Sequence, residues 1–201
     1  MQKTHVDNQV KYSSTINLMR EKMENLIPKI ITWAEERNIV KGSNEERETL
    51  KLVYKCGKLI KYLDNGEICK NAVGQCMVQL IIICHMRHIT LDECLKFTKQ
   101  IKDDRVAESA IATLMVFKTL GELAENISEK KDIKAEIGYL LIYLTALTNS
   151  LNLSIKECTE DAFNEIMSFK GIMFDGKFLD EADEGYEAAK AIIDSRKSSV
   201  L

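Results

Sequence analysis

Apolar residues recur every three to four positions along most of this chain, which is the period of helices that bury one face. From Thr15 to about Arg37 the pattern is helical, broken at Pro28, which suits a kink or the first turn of a second helix bearing Ile30, Ile31 and Ala34. Lys41-Gly-Ser-Asn reads as a loop, and Ser43 followed by Glu46 has capping-box spacing. A helix then runs to about Leu63, Asp64-Asn-Gly turns the chain, and Ile68 to His88 is the next helix. Its stretch MVQLIIIC is too apolar for a surface element. Thr90, with Glu93 three residues on, starts another helix. Val106–Ser128, Ile133–Leu151 and Ser154–Lys170 repeat the pattern. GIMFDGKFLD alternates around Asp-Gly, as a short hairpin or an extended arm, and Glu181–Ser195 forms a last, mostly polar helix.

Setting Thr49 on Thr113 aligns the chain with itself without gaps. At that one offset Thr49-Leu50 meets Thr113-Leu114, Gly57 meets Gly121, Gly74 meets Gly138, Leu80 meets Leu144 and Glu93-Cys94 meets Glu157-Cys158. Two copies of a three-helix unit follow, at about 44–103 and 108–168. Each holds a helical hairpin whose wide apolar stripe needs a partner, so packing one hairpin on the other predicts an all-α four-helix bundle with an internal pseudo-two-fold. The expected organisation is a polar N-terminal arm over 1–15, the duplicated domain over 16–180, and a C-terminal helix and tail over 181–201. The four helical glycines each cost about 1 kcal/mol relative to alanine. Either close helix–helix approach or room for a ligand would offset that.

Among 201 residues one proline and nine glycines leave too few breakers for an all-β sandwich. The net charge of −3 supplies no global basic field for a nucleic-acid polymer, no apolar run reaches a membrane span, and the first residues lack an apolar signal core. A cytoplasmic protein is expected. The six cysteines contain no Cys-x-x-Cys pair and sit among Leu, Ile and Val, as small core hydrophobes do. His85 and His88 share a helix face near its end with no acid beside them, which favours a surface position over a ligand pair.

Four segments resemble the all-α nucleoside triphosphate pyrophosphohydrolases, the MazG-like superfamily. They are IITWAEERNIVKGS, LKLVYKCGKLIKYLDNGEICKNAVGQCMVQLIIIC with ITLDECL, the second copy LGELAENI…KAEIGYLLIYLTAL…LSIKECTEDAFNEI, and the ending NEIMSFKGIMFDGKFLDE. Together they cover about residues 28–180, and the ending resembles short members encoded by phages. The resemblance implies a helical hairpin carrying Glu-Glu-x-x-Glu and then Glu-x-x-Asp, whose carboxylates gather Mg²⁺ to neutralise phosphates and activate water. Here the first copy has Tyr54, Lys55 and Lys58, then Ala72 and Gln75. The second has Lys118, Thr119 and Glu122, then Glu136 and Tyr139. Only Glu122 and Glu136 remain as candidate metal ligands. Lysine in place of the acids repels a cation by roughly 4 kcal/mol per pair at about 4 Å and an effective dielectric near 20. No resident metal or other cofactor is therefore expected, and Mg²⁺ only if the chain is an enzyme.

Charge reversal leaves room for a ligand. Lys51, Lys55 and Lys58 lie at i, i+4 and i+7 on one helix, and ammonium groups contact phosphate oxygens without a metal. Tyr54 and Tyr139 add aromatic surface with hydroxyl donors. By the resemblance, Trp33 could stack on a base, and Asn164 and Lys170 match polar positions of the family's C-terminal helix. With Lys118, Glu122 and Glu136 these residues form the candidate site. The expected function is a catalytically degenerate protein that binds a nucleotide or cyclic nucleotide without hydrolysing it, with a phage counter-defence sponge as one use in a host cytoplasm. The alternatives are an active pyrophosphohydrolase with a reduced site from Glu122, Glu136 and the Glu45/Glu46/Glu48 cluster, and a protein-interaction module. A solvated lysine face, a core Trp33 and local pairing of Glu122 and Glu136 with Lys118 or Lys134 are the plain readings of the same residues. A homo-oligomer is expected, with MVQLIIIC and LLIYLTAL apolar enough to support further packing.

Overall fold

The computed structural model describes residues 23–64, 69–98 and 104–198. The expected N-terminal arm, the first part of the first helix, the Asp64-Asn-Gly turn and the start expected at Ile68 lie at least partly outside these residues. The protein is mostly helical. Its helices are α1 (Leu26–Glu36), α2 (Ile39–Gly42), α3 (Glu45–Asp64), α4 (Lys70–Met86), α5 (Leu91–Phe97), α6 (Ser109–Ser128), α7 (Lys134–Ser150), α8 (Ile155–Met167) and α9 (Tyr186–Ser198). A 3₁₀ turn, Asp104–Ala107, precedes α6, and strands β1 (Gly171–Phe174) and β2 (Lys177–Asp180) separate α8 from α9.

The hairpins α3–α4 and α6–α7 pack on each other, α3 along α6 and α4 against α7, as an all-α bundle. The short third helices cross over: α5 lies on α7, and α8 lies on α4. The sequence repeat reappears in the geometry. Gly74 of α4 faces the backbone of Cys158 in α8, and its counterpart Gly138 of α7 faces Cys94 in α5. A Cβ would lie 1.8 Å from the first carbonyl oxygen and 2.4 Å from the second. At these two glycines close approach is the reason. Gly57 and Gly121 differ, because a Cβ there would meet nothing within 4 Å among the described residues.

Helices α4 and α7 are apolar on nearly every side, and both are buried without a break along their middles, over 76–84 and 140–148. MVQLIIIC and LLIYLTAL therefore form the chain's own core, and the surface expected there for oligomer packing is already used. No single helix is long and apolar enough to cross a membrane among the described residues. The α4–α5 pair passes that test together but is bent by 92° and largely interior. All six cysteines are free and buried, with Cys56 and Cys76 sulfurs 3.7 Å apart.

Local signals explain most boundaries. His88 and Asn152, a matched pair in the repeat, turn the chain at positive φ just past α4 and α7. Thr90 and Ser154 then cap α5 and α8. Thr90 forms a full capping box with Glu93, and Ser154 accepts from the Glu157 amide. Thr90→Ala is expected to cost about 1 kcal/mol, read as a lower urea midpoint with an unchanged m-value. Pro28 sits in the first turn of α1, where its missing N–H is harmless.

Three expectations shift. Asn44, not Ser43, caps α3, accepting from the Arg47 amide at 2.9 Å, while Ser43 turns inward to Glu48. The acidic run Asp180–Glu184 closes a turn in which Asp183 accepts from the Asp180 amide, so α9 begins only at Tyr186. His85 does have an acid beside it: Glu35 from α1 lies 2.8 Å from its Nε2. His88 is exposed.

The Asp175-Gly176 hairpin turn has positive φ at both residues, as a two-residue hairpin turn requires. The hairpin is fastened to the α1–α3 corner. Met173 donates to the Arg37 carbonyl at 2.7 Å, Asn38 donates to the Met173 carbonyl at 2.8 Å, and Arg47 donates to the Asp175 carbonyl at 2.7 Å. Helix α9 rests on its far face through Ile172, Tyr186, Ala189 and Ile193, a small second core. The hairpin thereby brings Met173 and Phe178 over the side of α3 and α4.

Candidate functional site

Under that hairpin lies a cavity of about 190 Å³. Its walls are mostly apolar: Ile39, Val78, Ile82, Ile166, Phe169, Met173 and Phe178, with Trp33 from α1. Against them stand four polar side chains, Glu48, Lys51 and Lys55 of α3 and Gln79 of α4. Residues 48, 51 and 55 fall on one side of α3 by helical spacing, one turn apart.

Glu48 is 1% exposed and ionisable, and it is held by three donors. Ser43 Oγ and Lys51 Nζ reach one carboxylate oxygen at 2.6 and 2.7 Å, and Gln79 Nε2 reaches the other at 2.5 Å. Gln79 in turn accepts from Lys55 Nζ at 2.5 Å. A buried carboxylate without such partners would be strongly unfavourable. Burial, the dominant influence, draws the Lys55 ammonium down to a pKa of about 8, partly opposed by Cys76 and Glu48. The Trp33 indole nitrogen is buried and has no acceptor among the described residues. The acceptors of Glu48 and Gln79 are already engaged, while Lys55 keeps two N–H bonds beyond Gln79 and Trp33 keeps one. The cavity thus favours an acceptor-rich or anionic occupant.

The internal repeat does not duplicate this site. Glu48, Lys55 and Gln79 correspond to Ala112, Thr119 and Tyr143, all buried, so the second half fills the same place with uncharged side chains.

Three of the sequence candidates, Trp33, Lys51 and Lys55, come together here. Trp33 is also part of the core: Phe163 meets it edge-on at 6.3 Å and the Arg37 guanidinium lies 5.0 Å over its ring. The others lie elsewhere. Lys58 leans over Tyr54 at 5.0 Å and donates to Gln75 at 3.3 Å, and Tyr54 is 68% exposed. Lys118 and Glu122 form an exposed i, i+4 ion pair at 2.6 Å. Tyr139 stacks on Tyr143 at 6.2 Å, away from the cavity lining. Glu136 keeps one buried carboxylate oxygen without a partner among the described residues. Asn164 is exposed, and Lys170 is exposed and 3.9 Å from Glu181. Neither lines the cavity, to which the same stretch contributes Ile166 and Phe169.

Sequence reasoning placed Glu48 only in an acidic cluster and missed Gln79. The readable signal was position: both fall on the core-facing arcs of their helices, where a polar residue needs a partner. Of the carboxylates considered for a reduced metal site, three already have partners. Glu45 pairs with Arg87 at 2.6 Å, Glu48 is saturated, and Glu122 is held by Lys118. Among the described residues no three His, Cys, Asp or Glu side chains converge as metal ligands.

Other clefts are larger. One of about 690 Å³ runs between α1 and the α4–α5 corner, lined by Ile27, Ile31, His85, His88 and Leu95. Its histidine nearest the core is tied to Glu35. The smaller cavity is the stronger candidate because a polar cluster converges on it.

No family model matches this chain, and no solved structure matches it. Among curated proteins it is similar to an uncharacterized 18.2 kDa protein in the rep-hol intergenic region of Haemophilus phage HP1 (strain HP1c1). The two are 24% identical over an alignment of 161 residues that covers 70% of this chain and 97% of the phage protein.

Proposed function

We propose that this chain is a divergent MazG-like protein that binds a nucleotide or nucleotide-derived signalling molecule, linear or cyclic, and does not hydrolyse it. The observation that carries this reading is the pairing of Lys51 and Lys55 with Trp33 around a mainly apolar cavity whose acceptors are already engaged. A volume of about 190 Å³ falls below the roughly 300–1,000 Å³ of sites that enclose a drug-sized ligand. It suits one flat heterocycle or an anionic end group, with the rest of the ligand outside along Lys51. Lysine contacts replace the metal that the family's carboxylates would gather. Likeness to a phage protein supports a setting in a host cytoplasm, where sequestering a signalling nucleotide needs affinity and no turnover.

The test is extraction. Protein incubated with bacterial lysate, repurified and denatured should release a nucleotide near one equivalent per site, identified by mass spectrometry. Lys55→Met, folded by circular dichroism, should retain at least tenfold less. A chain that emerges bare, or that releases pyrophosphate from a triphosphate panel with Mg²⁺ or Mn²⁺, overturns the reading.

A further inference from the structure

A second opening lies on the other face of the hairpin. Strand alternation puts Met173 on the cavity side of β1 and Phe174 on the α9 side. There a cleft of about 590 Å³ runs between the hairpin turn, the start of α3 and the last turns of α9, and it shares no lining residue with the cavity. Lys41 of α2, Arg47 of α3 and Arg196 of α9 line it, against one carboxylate, that of Asp175. The whole chain has more acids than bases, 31 against 28, so this convergence of cations from three helices is a local reversal of its charge. The acids next to Arg47 in α3 do not cancel it: Glu45 is tied to Arg87 at 2.6 Å, and Glu46 is exposed and outside the lining. Among the described residues no carboxylate forms an ion pair with Lys41 or Arg47.

Arg47 is built into the wall of this cleft. Its guanidinium fills the space over Gly176, where a Cβ would fall 1.0 Å from a terminal nitrogen, and it donates to the Asp175 carbonyl at 2.7 Å. That bond uses one N–H, and a guanidinium has several more. A side chain already seated in this way gives up less freedom when it meets an anion. The Ser43 hydroxyl, although it borders the cleft, is committed to Glu48 at 2.6 Å and is not counted as a donor. The remaining wall is apolar, from Phe174 and the buried Ile193, with the Arg196 guanidinium 5.9 Å from the Phe174 ring centre. We infer that this cleft binds an organic phosphate monoester, the phosphate held by Lys41 and Arg47 and the organic part against Phe174 and Ile193. A fork of N–H donors beside a mobile ammonium grips a phosphate dianion without a metal. A volume of about 590 Å³ lies within the roughly 300–1,000 Å³ of sites that enclose small molecules.

Because the cleft and the cavity share no lining residue, they are tested separately. Calorimetric titration of the full chain with phenyl phosphate in roughly 0.15 M salt should show one saturable site with Kd below about 1 mM. Inorganic phosphate should bind roughly threefold more weakly or worse, since it leaves the apolar wall uncovered. Lys41→Gln and Arg47→Gln should each weaken phenyl phosphate about tenfold. Asp175→Asn should tighten it roughly threefold, because it removes the one acid of the lining while Asn-Gly keeps the hairpin turn. A gain of affinity cannot come from a loosened fold, so that variant decides the matter should Arg47→Gln disturb the hairpin. Lys55→Met, which alters only the cavity, should leave the titration unchanged. The absence of a saturable site overturns the proposal, as does binding lost in Lys55→Met but kept in Lys41→Gln and Arg47→Gln. Inorganic phosphate that binds as tightly as phenyl phosphate overturns the assignment of an organic ester.

Discussion

Gly74→Ala should destabilise the protein by about 3 kcal/mol or more, while Gly57→Ala should stabilise it by about 0.5–1 kcal/mol. A Cβ on Gly74 would sit 1.8 Å from the Cys158 carbonyl oxygen and 2.7 Å from the Ala162 Cβ. Neither neighbour is the end of a flexible side chain, so α4 and α8 must separate along their length. Over-packing of a tight core costs about 1–3 kcal/mol where side chains can yield, and more where they cannot. Gly138→Ala, with the Cys94 carbonyl at 2.4 Å, should behave similarly. At Gly57 nothing is met, and alanine gains helix propensity and restricts the unfolded chain. The contrast is read by thermal unfolding. For a chain of this size about 3 kcal/mol lowers Tm by roughly 6–12 °C. Equal effects at Gly74 and Gly57 would refute the packing assignment.

A second large effect concerns pH. Lys55 titrates near 8 in the folded protein against an ordinary value of 10.5, because burial disfavours its ammonium. Between those values the unfolded chain binds more protons than the folded one, so Lys55 makes stability rise with pH through that window. Below pH 8 the full penalty applies, an upper bound of about 3 kcal/mol. Lys55→Met removes it. The variant should gain on the wild type by about 3 kcal/mol more at pH 7 than at pH 10.5, measured by urea unfolding at both. The comparison is needed because the buried thiols act the other way. Burial raises Cys69 and takes Cys158 to about 11, so unfolded thiols lose protons first and stability falls as pH passes their ordinary value near 9. Those contributions are common to both proteins and cancel. Affinity for an anion should follow the opposite slope, falling as the Lys55 ammonium is lost above pH 8. A parallel pH dependence of the two proteins would show that Lys55 carries no charge penalty.

Much of the architecture was legible in the residues. The 3.6 period, the Thr90/Glu93 and Ser154/Glu157 caps and the Asp175-Gly176 turn each act over a few residues. Local physics therefore fixed those elements almost wherever the chain put them. The capping expectation at Ser43 failed for the same kind of reason turned round: a buried carboxylate, that of Glu48, was a stronger partner than the helix end.

The candidate site was legible only in part. The one-sided stripe of Lys51, Lys55 and Lys58 can be read from sequence. Whether a lysine of that stripe meets water or a cavity depends on what lies across from it. For Lys55 that is Gln79 of the next helix, with Met173 and Phe178 of a hairpin from the far end of the chain closing the other side. Lys58, one turn further along, instead leans on Tyr54 in the open.

By itself the sequence determined an all-α chain with an internal repeat, apolar surroundings for its cysteines and a one-sided lysine stripe, because propensity, periodicity and charge are properties of single positions and short spacings. Only the tertiary structure decided which of two identical-looking glycine pairs is locked between helices, that Glu48 and Gln79 join Lys55 across a cavity, and that the most apolar segments are spent on the chain's own core. Those outcomes depend on distances between residues far apart in the chain, which are set when the hairpins pack and not before.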